Sequence, residues 1–141
     1  MERKMEAYDP DTVDELLLDK PVTVLYVYGT LRTGKADANI CKVKGRLYDL
    51  GSFPGLHLDD NGGDVILERI ETEKPISMFD LYEGYNEDEP KKSLYLRVPF
   101  RDGWLYTYND LMSDTRLIKS GDWIEYATST NKYSPYGRYN L

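Results

Sequence analysis

The sequence predicts an α+β domain: a small curled, mixed β-sheet or barrel of about six strands with one main internal helix. Three observations point there. Short β-branched and aromatic runs bounded by Gly, Pro and Asp recur through the middle of the chain. Only one internal stretch, residues 75–83, spaces its apolar residues as a helix does. The order of elements is not the alternating β-α-β of a doubly wound nucleotide fold. A single domain over 1–141 is expected, with its core at about 22–124, an N-terminal extension over 1–20 and a C-terminal tail over 131–141.

In chain order, residues 1–10 read as a mobile start. Thr12-Val13-Asp14-Glu15 fits a capping box opening a short helix through Leu16, Leu17 and Leu18, which Pro21 closes. Val22-Thr23-Val24-Leu25-Tyr26-Val27-Tyr28 is β-branched and aromatic, as a buried strand prefers. Gly29 ends it where the backbone must turn sharply or let something approach closely. Lys42 to Leu50 reads as a second strand, Gly51-Ser52-Phe53-Pro54-Gly55 as a turn, and Leu56 to Leu58 as a short strand. Asp59 to Asp64 then reads as an acidic hairpin with Val65 to Ile70 as its return strand.

Pro75 to Glu83 is the internal helix, with proline at its first turn, Ile76, Phe79 and Tyr82 at helical spacing, and Gly84 as its stop. Leu94 to Phe100 and Trp104 to Tyr108 form a hairpin around Arg101-Asp102-Gly103, and Gly121-Asp122-Trp123 begins a last short element.

Composition excludes several functions. A net charge of −7 is the wrong sign for a protein that tracks phosphates, so no nucleic-acid partner is expected. No apolar run approaches the roughly 20 residues needed to span a bilayer. The start MERKMEAYDPD lacks the apolar stretch of a signal peptide. A single cysteine suits a reducing cytoplasm, where this chain is expected to reside. His57 and Cys41, one of each, cannot build a Cys/His zinc site or a Ser-His-Asp triad. His57 reads as a loop or surface residue and Cys41 as a small packed hydrophobe. Any catalysis must fall to carboxylates, tyrosines and backbone amides.

Gly29 to Lys35 supports two incompatible readings. It is most of a P-loop, and Tyr28-Gly29-Thr30-Leu31 is also a backbone-lined turn able to hold a small anion. The P-loop reading fails on Ala36, which stands where a Mg²⁺-binding hydroxyl is needed, and on the sheet class. Lys35 is then a solvated loop charge. A second constellation is Phe79-Asp80-Leu81-Tyr82-Glu83-Gly84-Tyr85. A carboxylate at a helix C-terminus meets an unfavourable dipole, and rings such as Tyr82 and Tyr85 strip it of water. Both raise its proton affinity, as a general acid/base at neutral pH requires. The plainer reading is a surface glutamate before a glycine cap.

These segments together resemble the gamma-glutamylcyclotransferase-like family, which includes gamma-glutamylamine cyclotransferases and BtrG-type enzymes. Tyr28-Gly29-Thr30-Leu31-Arg32 is similar to its YG(S/T)LR signature. Gly45 to Gly51 with Phe53-Pro54-Gly55, Phe79 to Tyr85, Tyr95-Leu96-Arg97-Val98, Trp104 to Tyr108 and Ile118 to Trp123 follow in the family's order. Val65-Ile66-Leu67-Glu68-Arg69-Ile70 departs from the family's G-E-V-Y. The resemblance covers about residues 22–124.

It implies an enzyme that cyclises a gamma-glutamyl amine or amino acid to 5-oxoproline, releasing the amine. Glu83 would be the general acid/base, and Tyr28, Gly29, Thr30 and Leu31 would line the substrate cradle. Neither a metal nor a cofactor has a role, and the partner is the small-molecule gamma-glutamyl substrate. The alternative is a non-catalytic module of the same fold that binds a small metabolite or a protein. Calorimetry is expected to show no micromolar binding of ATP or GTP. Binding that is lost in Lys35→Ala would restore the P-loop.

Overall fold

The computed structural model describes residues 21–130. The capping-box helix and the C-terminal tail lie outside the described residues. Six strands and two α-helices follow in order: β1 (Thr23–Val27), β2 (Asn39–Asp49), β3 (Pro54–Leu58), β4 (Gly63–Thr72), α1 (Ile76–Glu83), β5 (Tyr95–Phe100), β6 (Gly103–Tyr108) and α2 (Trp123–Thr130). The strands form one mixed sheet in the order β3-β2-β4-β1-β6-β5. Every pairing is antiparallel except β1 with β6, where Leu25 lies opposite Trp104.

Both faces of β1 are covered, which is why Val24 to Val27 run apolar and aromatic rather than alternating with polar residues. Leu25 and Val27 pack with Phe79 of α1, Tyr95 and Tyr106. Tyr26 and Tyr28 join Leu47, Leu56, Leu105 and Trp123 of α2 on the other side. At eight residues α1 is too short to persist by itself. It is docked by Phe79, which is fully buried, a placement worth about 2–3 kcal/mol. The apolar face is narrower than the spacing suggests: Leu81 and Tyr82 point to solvent, while Phe79 and Glu83, four residues apart, share the buried face.

The sheet curls until its β3 edge meets β5 and β6. The Tyr95 hydroxyl donates to the Pro54 carbonyl at 2.8 Å. A Cβ on Gly55 would fall 2.9 Å from Tyr108 Cβ, so glycine there admits the close approach.

Three expectations need correction. β2 starts at Asn39 rather than Lys42, because residues 39–45 pair with β4 while residues 45–49 pair with β3. Residues 59–64 are therefore not a hairpin, and β4 is not the return partner of β3. Both strands pair antiparallel to β2, on opposite sides, and the chain crosses over β2 at Gly45, which faces both Leu58 and Gly63. His57 lies on β3 rather than in a loop, half-buried between the Tyr48 and Tyr108 rings.

The crossover depends on Gly62, where a Cβ would sit 2.3 Å from the Gly45 carbonyl oxygen, whereas a Cβ on Gly63 meets nothing within 4 Å. Gly62→Ala is expected to cost about 1–3 kcal/mol in chemical denaturation, and Gly63→Ala less than about 0.5 kcal/mol. Equal stability of the two variants would contradict the crossing.

Candidate functional site

β1 stops at Val27 and the chain turns off the sheet. Arg32 N–H donates to the Gly29 carbonyl at 3.0 Å, closing a four-residue turn. Gly29 is needed for packing rather than for its dihedral. Its φ lies outside the left-handed region. A Cβ there would press to 2.8 Å from Pro54 Cγ and 2.9 Å from Pro54 Cδ, atoms of a ring that cannot swing aside. Nothing after Lys35 is helical before β2 begins, so the turn offers no helix N-terminus of the P-loop kind.

Tyr28, Gly29, Thr30 and Leu31 line one pocket together with Glu83, and so all five residues singled out in the sequence converge. The rest of its wall comes from Tyr26 and Val27 of β1, Phe53 and Pro54 at the start of β3, Tyr95 of β5 and Tyr106 of β6. Glu83 is the only charged residue in that lining and is 8% exposed. It ends α1, where Gly84 takes the left-handed conformation at φ 65°. Gly84 N–H donates to the Leu81 carbonyl at 3.3 Å and Tyr85 N–H to the Asp80 carbonyl at 2.9 Å, fixing where the helix stops.

The rings that shield Glu83 are not those expected from adjacency. Tyr82 is 57% exposed and faces away, while Tyr85 packs under the Arg97 guanidinium, 5.4 Å from its ring centre. Tyr95 and Tyr106, from strands distant in sequence, share the pocket with Glu83 instead. Tyr106 donates its hydroxyl to Asp80 Oδ1 at 2.6 Å, and Arg97 Nη1 lies 2.9 Å from Asp80 Oδ2. Burial first, then the bond to Asp80 and its charge, push the Tyr106 hydroxyl well above the ordinary tyrosine range; the Glu83 charge adds to this and Arg97 opposes it. Tyr106 thus keeps its proton and is a wall, not a base. On the near side, the Tyr28 hydroxyl donates to the Tyr106 carbonyl at 2.7 Å, tying the turn to β6.

Tyr106, Tyr95, Phe53 and Pro54 were not singled out in the sequence as site residues. All four lie in segments that follow the family's order, but nothing local marked them as pocket walls. The position of Tyr106 beside Glu83 follows from the parallel β1–β6 pairing, which no local pattern announces. The unusual strand Val65–Ile70 contributes nothing to the lining. The acidic residues of the crossover are engaged with cations: Asp59 with Arg46 at 3.0 Å, and Asp64 with Lys44 at 2.8 Å. Among the described residues no helix is long and apolar enough to cross a membrane.

Comparison with known proteins bears on the family and the fold. The model of the family described as "Gamma-glutamyl cyclotransferase, AIG2-like" matches residues 25–125. A Vibrio cholerae protein provisionally named a gamma-glutamylcyclotransferase is 28% identical over 116 residues, covering 72% of this chain and 96% of that protein. Among solved structures, the uncharacterized Pyrococcus horikoshii protein PH0828 superposes with a TM-score of 0.51 at 21% identity, over 77% of this chain and 96% of its own. Bacillus subtilis YkqA superposes with a TM-score of 0.54 at 20% identity, over 79% of this chain and 43% of its own. These two show the α+β fold.

Tyr106→Phe removes the hydroxyl that Asp80 accepts from and leaves a carboxylate oxygen short of a donor. A loss of about 1–3 kcal/mol is expected from denaturation midpoints. Unchanged stability would show that Asp80 relies on Arg97 alone.

Proposed function

The chain belongs to the gamma-glutamyl cyclotransferase, AIG2-like family, and on that premise we propose that it converts a gamma-glutamyl amine or amino acid to 5-oxoproline and the free amine. One observation carries the reading: Glu83, the only charged lining residue, shares a pocket with the glycine turn that ends β1. Such a substrate brings its own nucleophile. Glu83 takes a proton from the α-ammonium, and the freed amine attacks the γ-carbonyl carbon to close a five-membered ring. The tetrahedral oxyanion is stabilised by backbone N–H groups of the turn at Gly29, Thr30 and Leu31. Glu83 then returns its proton to the departing nitrogen as the carbon–nitrogen bond breaks, and the ring nitrogen, which closed the ring carrying two protons, sheds the second one, taken up by the released amine as its ammonium. Every proton removed is delivered, and neither an oxidant nor a second substrate is consumed.

Holding the chain folded supplies several kcal/mol by proximity, because the reacting atoms belong to one molecule. The tyrosine and proline walls contribute by excluding water, which strengthens the turn's dipoles on the oxyanion. Tyr28 before the turn and Leu31 within it set the width of the cradle.

Glu83→Gln keeps the shape of the side chain but cannot accept the α-ammonium proton. Turnover to 5-oxoproline is expected to fall by about 10² to 10⁴-fold while the protein stays folded, with substrate still bound because the turn at Gly29 is unchanged. A variant retaining more than about a tenth of the wild-type rate would refute the role. Measurable ligand affinity with no turnover in either protein would favour a binding module. Gly29→Val should reduce turnover in a protein that still folds, since its side chain must displace Pro54 and distort the pocket's floor. Unchanged turnover would count against a cradle at this turn.

A further inference from the structure

Glu68 is the most deeply buried carboxylate among the described residues, 2% exposed, and the chemistry above does not use it. It sits on β4 between Val27 of β1 and Ile40 of β2, beside the point where the turn leaves the sheet. Both its oxygens accept the backbone N–H of Thr33, at 3.0 and 3.1 Å, and Oε2 also accepts the Thr33 hydroxyl at 2.6 Å. Arg32 Nε lies 3.9 Å from Oε1. The same guanidinium reaches the other way, Nη1 standing 2.8 Å from Asp122 Oδ1, and Asp122 in turn accepts Glu125 N–H in the first turn of α2.

The far end of the Gly29–Arg32 turn is therefore tied at two successive residues. A loop ordinarily moves more than the strands it leaves. Amides that must meet a developing oxyanion need fixed positions, and a charged acceptor holding both the N–H and the hydroxyl of one residue is a stiff link. We infer that Glu68 is a positioning residue for the cradle: acting through Thr33, it fixes the turn whose backbone amides receive the substrate. The inference rests on the cyclotransferase reading of that turn. A residue that merely stabilised the fold would lower the melting temperature and leave kcat/KM alone.

Thr33 lies at the surface and does not line the pocket, so its variants leave the substrate's contacts in place. Thr33→Ala removes the hydroxyl, Thr33→Ser restores it, and Glu68→Gln sets an amide NH₂ where two donors converge. Turnover of gamma-glutamyl compounds and hydrogen exchange of amides 30–33 are measured well below the melting temperature. In Thr33→Ala and Glu68→Gln, the exchange rates are expected to rise and kcat/KM to fall about tenfold, as for loss of a bond to a charged group, shared between a higher KM and a lower kcat because the turn both holds the substrate and meets the oxyanion. Thr33→Ser should stay within about twofold of wild type. An unchanged kcat/KM and unchanged exchange in a folded Thr33→Ala protein, against an active wild type, would overturn the positioning role alone. If Glu68→Gln does not fold, the two Thr33 variants decide. A wild type that makes no 5-oxoproline would instead overturn the functional reading on which the inference stands, and exchange would still report whether Glu68 holds the turn.

Discussion

The site depends on how closely Gly29 and Pro54 approach. The sheet's curl carries the first residue of β3 across to the end of β1, three strands away in sheet order, and the Tyr95 hydroxyl fastens the Pro54 carbonyl there. A side chain at residue 29 would hold the two apart. With glycine in place the turn rests on the proline ring, and the end of α1 closes the remaining side. The pocket is thus a consequence of sheet curvature and one missing Cβ, rather than of a dedicated loop.

Charge is distributed to suit. The charged side chains around the pocket are tied to one another behind its wall. Asp80 is shared between Arg97 and Tyr106, and Arg97 stacks 4.4 Å over the Trp104 ring centre. Asp102, at the β5–β6 turn, is bound by Arg69 and then by Tyr26, which together hold its carboxyl down at about 2. Glu83 is the one charged residue that lines the pocket. Ordinary burial would exclude such a carboxylate; its register four residues after Phe79 forces it inward.

Much of this was legible in the sequence, and the parts that were not have a common cause. The strands, the internal helix and the Gly84 stop follow from local patterns: period-two or apolar runs, a proline at the first turn, a glycine able to take positive φ. The convergence of Gly29 with Glu83 was reachable only through ordered motifs, since they lie more than fifty residues apart. What escaped was pairing. The Asp59–Asp64 segment has the composition of a hairpin, and nothing local reveals that it passes over β2. Adjacency likewise suggested Tyr82 as a neighbour of Glu83, whereas helix geometry turns it to solvent and the fold supplies Tyr106. Glu68 stood out only as part of the segment that departs from the family's G-E-V-Y. Its meaning appears only once Thr33 is seen against it.

The most direct measurement is mass spectrometry of the wild-type protein incubated with a panel of gamma-glutamyl amines and amino acids. Intramolecular cyclisation predicts 5-oxoproline and the matching free amine in equal amounts, with no glutamate formed. Release of glutamate would mean that water, not the substrate's own amine, attacks the carbonyl. Recovery of every compound unchanged would contradict an enzymatic role for the Glu83 pocket.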